Sequence, residues 1–154
     1  MAVEVARDCL TGVARATVRG LTLASTILPF ADRLNAGVVR EALALSDDVR
    51  ASDAKGSLRA GTSALLSALD GGRTQLCIAA DLRKARPASE GELTKGDGAA
   101  AMLVGTGEVI ARVIATHSVP VDFVDPFRGT GSDFDCSAPI KNVSAVAIVA
   151  LAGA

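Results

Sequence analysis

Apolar residues along the 154-residue chain fall into short runs of two different periods. In the stretch 3–10, Val3, Ala6 and Leu10 recur at helical spacing with charges between them, and Gly12 follows, which predicts a helix ending there. Val18–Thr26 reads as a strand, with Leu21, Leu23 and Thr26 bounded by Gly20 and Pro29. A helix is expected over Asp32–Leu45, where Leu34, Val38, Val39, Ala42 and Leu45 form one stripe. Val49–Asp53 is a short edge or connecting strand ahead of a turn at Lys55, Gly56 and Ser57. Gly61–Leu69 is helical again and is stopped by Asp70, Gly71 and Gly72, and Leu76–Ala80 reads as a strand buried on both faces.

Beyond Asp81 the pattern changes. Asp81–Lys95 is polar and contains Pro87 and Gly91, so a surface loop or short capping helix is expected. Ala99–Val104 and Val109–Thr116 read as two strands of an antiparallel hairpin turning at Gly105, Thr106 and Gly107. Ser118–Ile140, with three Pro and no periodicity, is a long surface connection, and Val143–Leu151 is a last apolar strand. Strand and helix alternate, which predicts an α/β layered fold with a mostly parallel five-stranded sheet and an antiparallel edge strand.

Composition narrows the function classes. Sixteen Lys and Arg against 17 Asp and Glu leave no basic excess for a nucleic-acid backbone. Four Phe with no Trp or Tyr leave packing to Ala, Val, Leu and Ile. Cys9, Cys77 and Cys136 are too scattered for a disulfide framework or a CxxC-type metal site, so a reducing, cytoplasmic setting without a bound metal is expected. The first ten residues mix charged and apolar positions, unlike a signal peptide, and the longest apolar run, 143–154, is shorter than the roughly 20 residues of a membrane span. A soluble protein is expected, with neither nucleic acid nor membrane as partner.

Two segments carry candidate chemistry. Gly96-Asp97-Gly98-Ala99-Ala100-Ala101 runs into apolar Met102-Leu103-Val104, small residues that let a ligand or another backbone approach, or that simply form a tight strand entry with Asp97 bonding its own turn. The stretch from Asp53 to Leu65 reads as a strand end, a sharp turn and a helix start, an elbow that can present a nucleophile where the helix dipole favours anions. Its hydroxyl, Ser57, is either that nucleophile or a helix cap. The single histidine, His117, stands at a strand end, where it is a general base or a solvated turn residue. Cys77 sits in an apolar run as a small core residue.

In this order and spacing the two segments resemble the thiolase-like superfamily, of the HMG-CoA synthase and 3-ketoacyl-ACP synthase III type, in which an elbow reading D-V-x-x-A-C-x-x-G-T-x-A-L precedes a GDGAAA strand. Asp53, Gly61, Thr62, Ala64 and Leu65 match, while Leu58 stands at the position of the nucleophilic cysteine. Leu21–Thr26 resembles the family's second strand, Asn35–Ser46 the helix after it, and Gly107–His117 the strand after GDGA, so residues 2–117 are covered as an N-terminal half.

The resemblance implies an acyl-CoA enzyme component, with a coenzyme A thioester as substrate and no further cofactor, and with Gly96, Asp97, Gly98, Gly61 and Thr62 at the binding surface. With Leu58 in place of the thiol, and with the family's His and Asn belonging to a second half, the chain is expected to be inactive alone. Ser57, His117 and Asp97 remain the catalytic candidates. Loss of the cysteine equally fits a dimerisation or interaction module, and a carbon–carbon lyase subunit that uses Asp97 or His117 is a third reading. A homodimer or a complex with a second thiolase-fold half is expected, through Leu76–Ala80 and the elbow helix. The family's first strand has no counterpart, so residues 142–154 are expected to cross the sheet by the 118–141 connection and fill a gap beside Leu21–Thr26, completing the 1–117 domain.

Overall fold

The structure, a computed structural model, describes residues 1–119, 128–135 and 148–153. They form two compact units, Met1–Leu82 with Gly96–Gly107, and Arg83–Lys95 with the residues from Glu108 onward.

The first unit is built on four strands, β1 (Gly20–Ala24), β2 (Arg50–Ala54), β3 (Gln75–Asp81) and β4 (Gly98–Val104), in the order β2-β1-β3-β4. β1 runs parallel to both β2 and β3, while β4 runs antiparallel to β3 along seven residue pairs. Period-two alternation divides large from small side chains. Leu21, Leu23, Leu76 and Ile78 point to one face, where they pack with Ala6 and Leu10 near helix α1 (Ala2–Cys9) and with Ala36 and Val39 of helix α2 (Asn35–Ala42). The other face carries Ala24, Ala54 and Ala79, against which Ala60 and Ala64 of helix α3 (Ala60–Asp70) lie. Without bulky residues on either surface, this helix approaches the sheet closely: a Cβ added at Gly61 would already stand 3.4 Å from the Ala79 Cβ.

All five residues of β1 are buried, as expected of a strand covered on both faces. Its neighbours are β2 and β3, so its backbone groups are paired on both sides and the expected gap beside Leu21–Thr26 does not exist. The mostly parallel sheet with an antiparallel edge is present, but among the described residues it has four strands, not five.

In the second unit β5 (Ala111–His117) pairs antiparallel with β6 (Ile148–Gly153), with a register irregularity between Val113 and Ala115. The C-terminal strand therefore ladders with β5 rather than completing the four-stranded sheet. The expected hairpin of 99–104 with 109–116 is likewise overturned, since each of its strands takes a different partner. A short helix α4 (Glu90–Thr94) lies in the stretch expected as loop or capping helix. The Asp135 carboxylate, 3% exposed, accepts from Arg83 Nε at 2.9 Å and Lys95 Nζ at 2.8 Å. Burial pushes its carboxyl up, but these two cations outweigh burial and hold it below the ordinary carboxylate value. Most of the expected 118–141 connection, with Cys136, and the start of the last strand at 143–147 lie outside the described residues.

Helix α2 ends in a Schellman turn: Ala44 N–H bonds the Glu41 carbonyl at 2.9 Å and Leu45 N–H the Arg40 carbonyl at 3.2 Å. The turn holds Ala44 at φ 49°, a left-handed conformation that costs an L-residue with a Cβ roughly 1–2 kcal/mol. Part of that gain is offset by the greater unfolded-state freedom of the chain when glycine replaces alanine. Ala44→Gly is expected to raise the melting temperature by about 2–4 °C in calorimetry. A lowered midpoint would show that the turn is held by something other than this strain.

Candidate functional site

Parallel strands β1, β2 and β3 end on the same side of the sheet, where open α/β folds place their ligands. Two carboxylates organise these ends. Asp53, on β2, accepts from Ala36 N–H at 2.7 Å on Oδ1, and from Asn35 N–H and Asn35 Nδ2, each at 2.9 Å, on Oδ2. A carboxylate from a neighbouring strand thus caps the first turn of α2, where the orphan N–H groups and the dipole favour negative charge. Asn35 completes the clamp by donating to the Phe30 and Arg33 carbonyls and accepting from Phe30 N–H, which fixes the 30–35 loop.

Asp81, the last residue of β3, does the same for the end of β1. Its Oδ1 accepts from the Ser25 hydroxyl at 2.7 Å and Thr26 N–H at 2.8 Å, and its Oδ2 from the Thr26 hydroxyl at 3.0 Å. Ser25 Oγ in turn accepts from Ile27 N–H at 3.1 Å. The two adjacent strand ends are tied together at the mouth of the sheet.

Between them and the elbow lies a cleft of about 360 Å³. Ser25, Thr26 and Asp81 form one wall, Leu58, Gly61 and Thr62 from the elbow another, and Gly98, Ala99 and Ala100 of β4 a third. The elbow turns at Gly56, whose φ of 105° calls for glycine. Ser57 is exposed, and its Oγ accepts from Arg59 N–H at 3.2 Å, so the hydroxyl supports the turn into α3. Leu58 is 49% exposed and lines the cleft.

Of the residues singled out by sequence, the structure brings together Gly61, Thr62, Gly98 and Leu58. Gly96 and Asp97 are exposed on the approach to β4 and do not line the cleft, and His117 is an exposed residue of β5 in the second unit. Ser25, Thr26 and Asp81 escaped notice. Their signal was polar residues directly closing two apolar runs, easily taken for mere strand boundaries. Leu76–Ala80, expected at a subunit surface, belongs to β3, which is flanked by β1 and β4, with Leu76, Cys77 and Ile78 buried inside the unit.

Cys77 donates from its thiol to the Ala64 carbonyl at 3.7 Å, and burial pushes its pKa up to about 11. At a mildly alkaline labelling pH it is almost wholly protonated. Iodoacetamide is expected to leave Cys77 unlabelled in the folded chain and to label it fully in denaturant, as read by peptide mass spectrometry. Rapid native labelling would show that α3 lifts from the sheet.

No family model matches the chain. Among curated proteins, the hydroxymethylglutaryl-CoA synthase of Thermococcus gammatolerans is 30% identical over 134 residues, covering 81% of this chain and 38% of that protein. That of Archaeoglobus fulgidus is 32% identical over 135 residues, covering 83% and 39%. The chain spans about two fifths of the length of the curated relatives it matches. Among solved structures, MvaS in complex with 3-hydroxy-3-methylglutaryl coenzyme A superimposes with a TM-score of 0.79 at 20% identity, over 90% of this chain and 35% of that one. PksG, an HMG-CoA synthase from Bacillus subtilis, gives 0.77 at 20% identity, over 89% and 36%. At such identities the superpositions speak for the fold, and the sequence matches speak for kinship. The chain is related to the HMG-CoA synthases, matching part of their length, and it has a thiolase-like half-fold.

Proposed function

We propose that the chain is a thioester-binding component of a thiolase-fold assembly that holds an acyl-CoA at the elbow cleft and performs no acyl transfer by itself. The observation that carries this reading is Leu58 in the cleft lining, beside a Ser57 hydroxyl engaged by Arg59 N–H. A hydrocarbon side chain cannot attack a carbonyl, and an alcohol needs an adjacent base to do so. No hydrogen bond among the described residues links Ser57 to a histidine or carboxylate. Binding is supported by Gly98, which lines the cleft. It has no left-handed φ, and a Cβ on it would meet nothing within 4 Å, so the fold itself does not require glycine there. Asp97, next to it in the chain, stays a candidate for orienting the thioester, and His117 for a proton-transfer role in a lyase-type assembly.

A second reading, an interaction module that forms a homodimer, draws support from β4. Among the described residues this edge strand pairs on one side only, and its seven residues include neither charge nor proline, the usual guards against edge pairing. A reducing cytoplasm suits the free thiols of Cys9 and Cys77. No helix among the described residues is long and apolar enough to cross a membrane.

Incubation with acetyl-CoA, followed by calorimetric titration and intact-mass spectrometry, separates these readings. Saturable binding with no mass increase is expected. A stoichiometric acetyl adduct on Ser57 would overturn the inert elbow, whereas absent binding together with a dimeric mass in light scattering would favour the interaction module.

A further inference from the structure

Ser25, Ala80 and Asp81 line not only the elbow cleft but also a second pocket, of about 250 Å³, on the α1 and α2 side of the strand ends. Its other walls are largely hydrocarbon: Leu23, Ile27, Leu28, Phe30, Val38 and Leu82. The polar side chains in the lining are Ser25, Asn35 and Asp81, and all three are committed to protein partners, Ser25 to Asp81 and Ile27 N–H, Asn35 to Asp53 and the loop carbonyls. What the pocket offers an occupant is therefore apolar contact rather than a specific hydrogen bond. Phe30, Val38 and Leu82 are 42%, 38% and 43% exposed, a sizeable cost unless something covers them.

Resting on the thioester-binding reading above, we infer that this pocket houses the acyl chain of the bound thioester, with the carbonyl in the adjoining elbow cleft, and that the substrate class is a medium-chain aliphatic acyl-CoA rather than acetyl-CoA. An alkyl chain asks for no hydrogen bond, which matches the lining. Taking a methylene to fill roughly a water molecule's ~30 Å³, the space holds about six to eight carbons.

The test measures affinities of acetyl-CoA and octanoyl-CoA for the native chain and two variants by calorimetry. Octanoyl-CoA is expected to bind on the order of 10–100-fold more tightly than acetyl-CoA, from the methylenes removed from water. Val38→Trp, which fills the pocket from α2, should abolish that advantage and leave acetyl-CoA affinity within about twofold. Leu82→Ala, which enlarges the pocket, should shift the preference to a longer chain and serves if the tryptophan variant fails to fold. Equal binding of both thioesters, or an octanoyl advantage untouched by either variant, overturns the inference while leaving the thioester reading in place. No binding of either thioester overturns the reading beneath it, and this inference with it. A change in light-scattering mass on Val38→Trp without a change in affinity would make the pocket an interface between copies, which also overturns it.

Discussion

Asp53→Ala is expected to destabilise the chain by about 3–4 kcal/mol, a large fraction of the roughly 5–15 kcal/mol typical of a folded domain. The carboxylate accepts three hydrogen bonds, two of them from the backbone N–H groups that open α2. Bonds to a charged group contribute roughly 1.5–3 kcal/mol each, but they share one site and do not add in full. Their loss also strands partners. Asn35 is 3% exposed, so its backbone N–H would be left without an acceptor in a site water scarcely reaches, while its side chain would keep only the Phe30 and Arg33 carbonyls. Asp53→Asn keeps one acceptor oxygen and turns an amide toward the remaining donors, so a loss of about 1–2 kcal/mol is expected. Urea unfolding followed by circular dichroism gives the comparison. With a slope of roughly 1–3 kcal/mol/M, alanine should lower the midpoint by about 1–4 M and asparagine by roughly half as much. Equal midpoints for the two variants would mean that the bonds, as drawn, do not hold α2.

That residue also shows what a sequence can and cannot disclose. Asp53 is visible as the first match to the elbow motif, yet its work lies 17 residues upstream at Ala36, a distance no local periodicity spans. The α/β class was legible because alternation in β1 and β3 and the stripes of α1, α2 and α3 are properties of neighbouring residues. Pairing is not such a property. Ala99–Val104 and the next strand, with Gly105 and Gly107 between them, look locally like a hairpin, but β4 matches β3 residue for residue, Ala101 beside Ile78 and Leu103 beside Leu76, and so extends the apolar core. The supposed gap beside β1 failed for the same reason, since strand order is set by the faces that the helices cover. In the candidate site, glycines and the elbow were legible as motifs. The ties from Asp81 to Ser25 and Thr26 cross 56 and 55 residues and could be found only in three dimensions.

Leu58→Cys is expected to give an elbow that accepts an acetyl group from acetyl-CoA, with the adduct rising from background toward one per chain. The position lines the cleft, is 49% exposed, and lies two residues ahead of the first residue of α3. A thiol there would feel the positive end of an 11-residue helix, which stabilises the thiolate and lowers its pKa from the ordinary value of about 8.5. The thiolate then attacks the thioester carbonyl, a carbon–sulfur bond forms to the introduced sulfur and coenzyme A leaves as its thiolate. Such an exchange needs no oxidant and no acid–base partner beyond water, so it proceeds without a neighbouring histidine. Its rate should climb with pH as the thiol ionises and then level off. The native cysteines supply the control: Cys77 is held protonated by burial, and Cys9 is half-buried with its pKa raised by desolvation. Peptide mapping after incubation decides the matter, with acetylation expected at position 58 and at neither of these native thiols. Modification that falls on Cys9 instead, or an introduced thiol that alkylates with iodoacetamide no faster than a free one, would show that the helix terminus does not activate this position, and that the family's chemistry depends on groups beyond the elbow.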